Sequence, residues 1–401
     1  MKKLLVILIL ISVGQVSAQN FTRSNLYYYY SNKSDIQLDY QITTNKNEAF
    51  VYLKVTNNKT KDLFEEFSLM YAVKSNYAAP FTGTVVSPEK LLSKSGKDYY
   101  FKLQIPLETA EVVCEVRLEN KSTKRIFAYD IPIESKHSIR YADFMVKDAK
   151  TGKPYFGNYL SKEKKVVLAS ENGGIEKLYC FKYNFDFEAA TPPMSLKASG
   201  RGKSMEIDSV FSVNTNDTIS FAEKGLYFFQ KDTTKIVGLS IKVTDKYYPK
   251  LAKVEDLIAS TVYISTRLEI RKLTDAENKK KAMDRFWIKI TNAKSRAKNI
   301  IRAYYGNVKR ANDLFTNYKD GWKTDQGMIF TIFGLPHQVF RDGNAETWVY
   351  IKKEDRPKLK FIFIKEKNIF TKSHYKLKRD KSYEKYWYRT IDLWRKGRIG
   401  L

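Results

Sequence analysis

Between residues 178 and 188 an aromatic side chain fills every second position: Tyr179, Phe181, Tyr183, Phe185 and Phe187. Cys180, Lys182, Asn184, Asp186 and Glu188 stand between them. A period of two sorts side chains onto opposite faces only in an extended chain, so the stretch predicts a strand. Five aromatics on one side bury a large apolar area, and that side is expected to face the core; a ladder for sugar rings is the alternative. The same alternation occurs earlier, in Ile36, Leu38, Tyr40 and Ile42, then over residues 50–55, 99–105, 112–118 and 126–133. Polar turns such as Thr56-Asn57-Asn58-Lys59-Thr60 and Lys150-Thr151-Gly152-Lys153-Pro154 separate these runs. Short alternating runs with turns between them predict antiparallel sandwiches. The consecutive tyrosines Tyr27, Tyr28, Tyr29 and Tyr30 read as a first strand, buried on one face.

Beyond residue 250 the period lengthens. Ala297, Ile300, Ile301, Tyr304, Val308, Ala311, Leu314 and Phe315 recur mostly at three and four, which predicts a long amphipathic helix. Thr274 with Glu277 three residues later predicts a helix start. Strands are expected near residues 328–333, 347–351 and 359–364. The spacing of Tyr383, Tyr386, Trp387, Ile391 and Trp394 predicts a last helix, flanked by Lys385, Arg389, Arg395, Lys396 and Arg398. That helix either packs its aromatic face on the domain, the preferred reading, or lies on an anionic membrane. The expected fold is α+β and multidomain: two antiparallel β-sandwich-like domains over residues 19–135 and 136–245, then a helical segment and a small α+β domain over residues 250–401.

Residues 1–18 have the form of a secretory signal peptide. Lys2 and Lys3 precede an apolar run too short to span a bilayer, and Val16-Ser17-Ala18 offers a cleavage site before Gln19. No cysteine lies near that cut, which argues against a lipoprotein. The expected location is the periplasm or the outer-membrane periphery. Cys114 and Cys180 sit in alternating strand patterns and read as small buried apolar residues, with pairing left open. The net charge is +27, and residues 251–401 hold 35 Lys+Arg against 17 Asp+Glu. Export argues against nucleic acid as the reason; anionic lipid, an acidic partner or solubility remain.

Residues 319–350 concentrate special residues. Gly321 is expected to take positive φ, Trp322 to plug the gap between helix and sheet, and Thr324 and Asp325 to fix a turn by bonding nearby amides. Gly327 permits an exit into a strand, Gly334 and Pro336 end it, and Asp342-Gly343-Asn344 signals a hairpin before Trp348 and Tyr350. Gly321-Trp322-Lys323-Thr324-Asp325 resembles the signature of the GWxTD-domain proteins, exported proteins found mainly in Bacteroidota. Leu257-Ile258, Phe286-Trp287, Tyr304-Tyr305, Gly334 with Pro336, Trp348 with Tyr350, and Trp394-Arg395 extend the resemblance from about Val254 to the C-terminus. The family tends to carry arginine where Gln326 and Asn307 stand here. The resemblance implies an envelope-associated protein of undefined role.

No nucleophile elbow, phosphate loop or metal-ligand spacing accompanies His137, His337 or His374. No catalytic residue, cofactor or metal is therefore assigned. The expected function is a non-enzymatic structural or interaction role in the envelope, with a protein partner or an anionic membrane surface docked through the basic domain. A hydrolase or carbohydrate-binding site at the Trp322–Asp325 turn is the alternative, and a deep polar cleft there would mark it.

Overall fold

The computed structural model describes residues 21–45, 47–135, 141–183, 186–196, 205–351 and 358–398. The signal-like segment, His137, Asn184 and Phe185 lie outside the described residues. The first unit is a sandwich of two four-stranded antiparallel sheets. One runs Ile36–Thr44, Glu48–Asn57, Asp98–Pro106, Leu91–Ser95 in spatial order; the other runs Thr84–Val85, Phe67–Lys74, Val112–Asn120, Ile126–Ile133. Alternating Val51, Leu53 and Val55 meet Phe101, Leu103 and Ile105 in its core, as the period of two predicts.

The second unit stacks a five-stranded sheet (Leu160–Ser161, Leu239–Thr244, Gly225–Gln230, Lys177–Tyr183, Ser209–Asn214) on a three-stranded one (Thr218–Ile219, Val166–Ser170, Phe144–Asp148). Its core is separate and contains Cys180, whereas Cys114 lies in the first core. Both cysteines are free, and burial pushes both thiols up to about 12. The aromatic alternation is a strand as far as Tyr183, with its faces reversed from expectation, and Phe187 lies beyond the strand. Leu178, Cys180 and Lys182 point into the core, while Tyr179 is exposed and Phe181 and Tyr183 are half-buried. Lys182 can occupy an inward position because its ammonium emerges at the rim to meet Asp208 and Glu223, leaving its apolar stem inside. Phe370 from the C-terminal part covers Tyr183 and Phe228 on the outer face.

The third part begins with helices Val254–Ser260, Arg267–Thr274, Lys279–Thr291 and Lys294–Phe315, followed by Asp325–Phe333. A four-stranded antiparallel sheet, Gln338–Arg341, Ala345–Tyr350, Leu359–Lys365 and Tyr375–Leu377, and the helix Glu384–Arg395 complete it. Thr274 ends a helix instead of starting one. The capping box is Thr266 with Glu269, and Asn278 caps the next helix through the Lys281 amide. Residues 328–333 are helical, not a strand. Met328-Ile329-Phe330-Thr331-Ile332 is buried on every side, so its sequence shows no period to tell helix from strand.

Tyr27–Tyr29 form a 3-10 turn, not a strand, and they have a specific task. The Tyr28 hydroxyl donates to the Ala128 carbonyl and accepts from the Ala128 amide, and the Tyr29 hydroxyl accepts from the Asp130 amide. These bonds occupy the open edge of strand Ile126–Ile133. Three residues earlier, Leu26 donates to the Val339 carbonyl and the Asn25 side chain accepts from the Val339 amide. The same segment therefore also covers the edge strand Gln338–Arg341. One hydrophobic core runs from the first sandwich through this segment into the C-terminal helices and sheet.

Candidate functional site

Helix Lys294–Phe315 sets the position of the motif. The Asn312 side chain accepts from the Trp322 amide (3.1 Å) and donates to the Pro249 carbonyl (3.0 Å), while the Thr316 hydroxyl accepts from the Gly321 amide (3.1 Å). The chain presses so closely here that a β-carbon on Gly321 would lie 2.1 Å from the Ala311 carbonyl oxygen. Gly321 does not take positive φ; close backbone approach is what excludes a side chain. Gly327 repeats the device, since its β-carbon would lie 1.8 Å from the Gly321 oxygen. It sits in the first turn of a helix and makes no exit into a strand.

Trp322 is buried edge-on to Tyr263, whose hydroxyl donates to the Trp322 carbonyl (3.0 Å). Thr324 is the N-cap of helix Asp325–Phe333: its hydroxyl accepts from the Gly327 amide (2.9 Å) and donates to the Gly321 carbonyl (2.7 Å). Asp325 departs from expectation. It does not lock its own turn; it reaches across to accept the Leu377 amide (2.8 Å) and a two-pronged contact from Arg379 (2.6 and 3.2 Å). Arg379 also donates to the Thr191 carbonyl, so the motif ties the last strand and the second unit together. Gly334, at φ 75°, ends the helix, and its carbonyl accepts from the Tyr350 hydroxyl (2.8 Å). Pro336 is buried just beyond. The Asp342-Gly343-Asn344 hairpin forms as expected, with Gly343 at φ 95°.

Next to the motif lies a buried charge cluster that the sequence reading missed. Glu346 is fully buried and accepts from the Tyr30 hydroxyl (2.5 Å), the Trp348 indole (2.5 Å), the Gln326 amide (3.0 Å) and Arg341 (2.9 and 2.5 Å). Arg341 then donates to Asp130 of the first sandwich at 2.5 Å. Asp130 also accepts from the hydroxyls of Tyr77 (2.8 Å) and Tyr29 (3.0 Å). Burial pushes the Asp130 carboxyl up, but Arg341 and these hydroxyls outweigh it and hold it below the usual value. A visible signal existed. Glu346, Trp348 and Tyr350 share one face of an alternating strand, which puts an acid in a core position that only a partner can justify.

A cavity of about 440 Å³ opens beside this cluster, where all three parts meet, with Tyr40, Glu134, Lys242, Arg341, Lys365 and Tyr375 on its walls. Burial pulls the Lys365 amine below the ordinary lysine value, against the attraction of Asp130. Gly321 to Gly327 do not line it. The motif turn itself is closed, with Gly321, Trp322, Thr324, Asp325 and Gln326 all buried. Among the described residues no group of His, Cys, Asp and Glu is arranged to hold a metal ion. His337 accepts a backbone amide at 3.3 Å, and half-buried His374 is held below the ordinary histidine value by burial.

Residues 225–396 match the GWxTD domain family. The chain carries a GWxTD domain. The match starts at strand Gly225–Gln230, before the helical segment, so the GWxTD domain includes two strands of the five-stranded sheet. No curated protein matches the chain. Within the GWxTD domain the Gly, Trp, Thr and Asp of the signature each make a distinct structural contact. At Gln326 the side chain contacts Glu346, and at Asn307 it donates to the Thr331 carbonyl (3.1 Å).

Proposed function

We propose that this chain is an exported cell-envelope protein with a non-enzymatic role, and that the helical face of its GWxTD domain docks an anionic membrane surface. The observation carrying this reading is the outer side of helices Lys279–Thr291 and Lys294–Phe315. Lys280, Lys281, Arg285, Lys289, Lys294, Lys298, Arg302 and Lys309 are exposed there. Their opposite faces bury Met283, Phe286, Trp287, Ala297, Ile300, Tyr304 and Val308. None of these eight cations has an ion-pair partner among the described residues. Asp284 is the one acid between positions 279 and 309. Unpaired cations on a rigid surface attract anionic headgroups over about a Debye length, roughly 8 Å at physiological ionic strength. The buried Trp322 and the paired Asp325 weigh against the alternative of a hydrolase or sugar site at the motif turn.

Co-sedimentation with vesicles of neutral lipid, and of neutral lipid mixed with phosphatidylglycerol, tests the reading. Binding is expected only with the anionic lipid, falling steeply as salt rises. The double variant Lys298→Glu, Arg302→Glu should abolish it with the melting temperature unchanged. Equal binding to both vesicle types, or none to either, would overturn the membrane reading. Cross-linking in native envelope, with capture lost in the same variant, would then favour an acidic protein partner.

A further inference from the structure

We infer that the edge strand Ser209–Asn214 pairs with the same strand of a second copy, joining two five-stranded sheets into one. The inference stands apart from the docking reading, since it rests on a different unit and a different kind of contact. An open strand edge presents unpaired amides and carbonyls, and folded proteins normally cover, shorten or charge such edges. This chain does so almost everywhere. Strands Thr84–Val85, Leu160–Ser161 and Thr218–Ile219 have two residues each. Strand Ile126–Ile133 is covered by tyrosine hydroxyls, Gln338–Arg341 by Leu26 and Asn25, and Tyr375–Leu377 by the Asp325 carboxylate. Phe144–Asp148 is met by Tyr155, which donates to the Val146 carbonyl. Ile36–Thr44 carries Asp39, and Leu91–Ser95 carries Lys94 and a register irregularity.

Ser209–Asn214 has none of these protections. Its sequence, Ser-Val-Phe-Ser-Val-Asn, has no charge and no proline, and nothing among the described residues pairs with its outer side. Val210 is 57% exposed and Phe211 38%. Thr215 donates inward to the Glu176 carbonyl, so on the two-residue period Phe211 and Val213 also donate inward. The amides of Val210, Ser212 and Asn214 then point away from the sheet.

An antiparallel copy centred on Ser212 fits this edge. Ser212 faces Ser212, Val210 faces Asn214, and Phe211 faces Val213. The six strand residues carry no charge, so no like charges meet within the joint. The two-fold axis stands perpendicular to the sheet, so each face continues into the same face of the other copy. Phe211 and Val213 lie on the inward face with Cys180 and Leu178, and their contact extends the second core across the joint. On the outer face the exposed Tyr179 lies one strand in from the joint, beside Ser212. A partner strand bearing charges would find no counter-charge on this edge, whereas the chain's own strand needs none.

Sedimentation equilibrium of the full chain tests the inference. A six-residue edge buries less than a standard interface, so a monomer–dimer equilibrium is expected with Kd between about 1 µM and 1 mM. Ser212→Pro removes an outward amide without breaking a bond of the ladder and should weaken dimerisation at least tenfold. Val210→Lys, which places charge on the edge, should do the same, and it serves if the proline variant fails to fold. Hydrogen exchange should slow at the Val210 and Ser212 amides as the concentration rises. A chain that stays monomeric to about 1 mM, or a dimer indifferent to Val210→Lys, would overturn the inference.

Discussion

A methyl group at Gly321 would meet the Ala311 carbonyl at 2.1 Å and the Asn312 α-carbon at 2.6 Å, backbone atoms that cannot turn aside. Gly321→Ala should therefore cost at least the roughly 1–3 kcal/mol typical of overpacking, read by denaturant unfolding. Trp322→Ala removes a buried ring and its contact with Tyr263, and should cost about 3–5 kcal/mol. At Asp325 the cost depends on what the carboxylate holds. A residue that only capped its own turn would cost about 1 kcal/mol when truncated. Asp325 instead neutralises Arg379 with both side chains largely buried, so Asp325→Ala should cost about 3 kcal/mol. Arg379→Met should recover part of that loss, because the double variant leaves no buried charge behind. A loss near 1 kcal/mol with no recovery would reject the cross-strand role.

The C-terminal helix Glu384–Arg395 shows the same logic over a whole element. Its aromatic face turns inward: Trp387 and Trp394 are buried, and the Trp394 indole donates to the Ile332 carbonyl at the end of the motif helix. Arg395 fastens its last turn to Glu269 at 2.9 and 3.0 Å. The bond from Arg395 is the main reason the Glu269 carboxyl lies at about 2, below its ordinary 4.5. A carboxyl depressed on folding stabilises above its unfolded value and loses that contribution as pH falls through the folded one. Stability from this pair should be fully present above pH 4.5 and disappear as pH falls toward about 2. Glu269→Gln should remove the pH-dependent difference from the wild type in that window, measured by thermal melts. Deleting residues 381–401 should lower the melting temperature of the GWxTD domain, since it exposes the surfaces that Trp387 and Trp394 cover.

At the scale of the molecule, the N-terminal segment acts as a strap between units far apart in sequence. Leu26, Tyr28, Tyr29 and Tyr30 occupy one sheet edge in the first sandwich, another in the GWxTD domain, and the buried Glu346 between them. Arg341 bridges Asp130 and Glu346 in the same place, so the two units share a charge cluster as well as a core. A chain lacking residues 21–30 should melt at lower temperature in both units together. It should also gain protease cleavage near the strands Ile126–Ile133 and Gln338–Arg341. Loss confined to one unit would mean that the units are not coupled through this segment.

What the sequence determined by itself was periodicity and local chemistry. Strands in the first unit, the long helix, the last helix and the Asp342-Gly343-Asn344 turn follow from repeats of two or of three to four and from glycine at positive φ, all local properties. The motif was also visible as a place of tight packing, because glycine, tryptophan and short capping residues together serve few other ends. Periodicity could not rank the two faces of strand Lys177–Tyr183. It says that faces differ, not which neighbour covers them, and here Phe370, almost two hundred residues on, covers part of the aromatic one. Nor could it distinguish helix from strand in Met328-Ile329-Phe330-Thr331-Ile332, where burial on all sides erases the pattern. The partners of Asp325, Glu346 and the tyrosines were decided only by tertiary structure. A buried carboxylate or hydroxyl requires a partner but does not name it, and Arg379, Arg341 and the Ala128 backbone become neighbours only when distant segments are folded together.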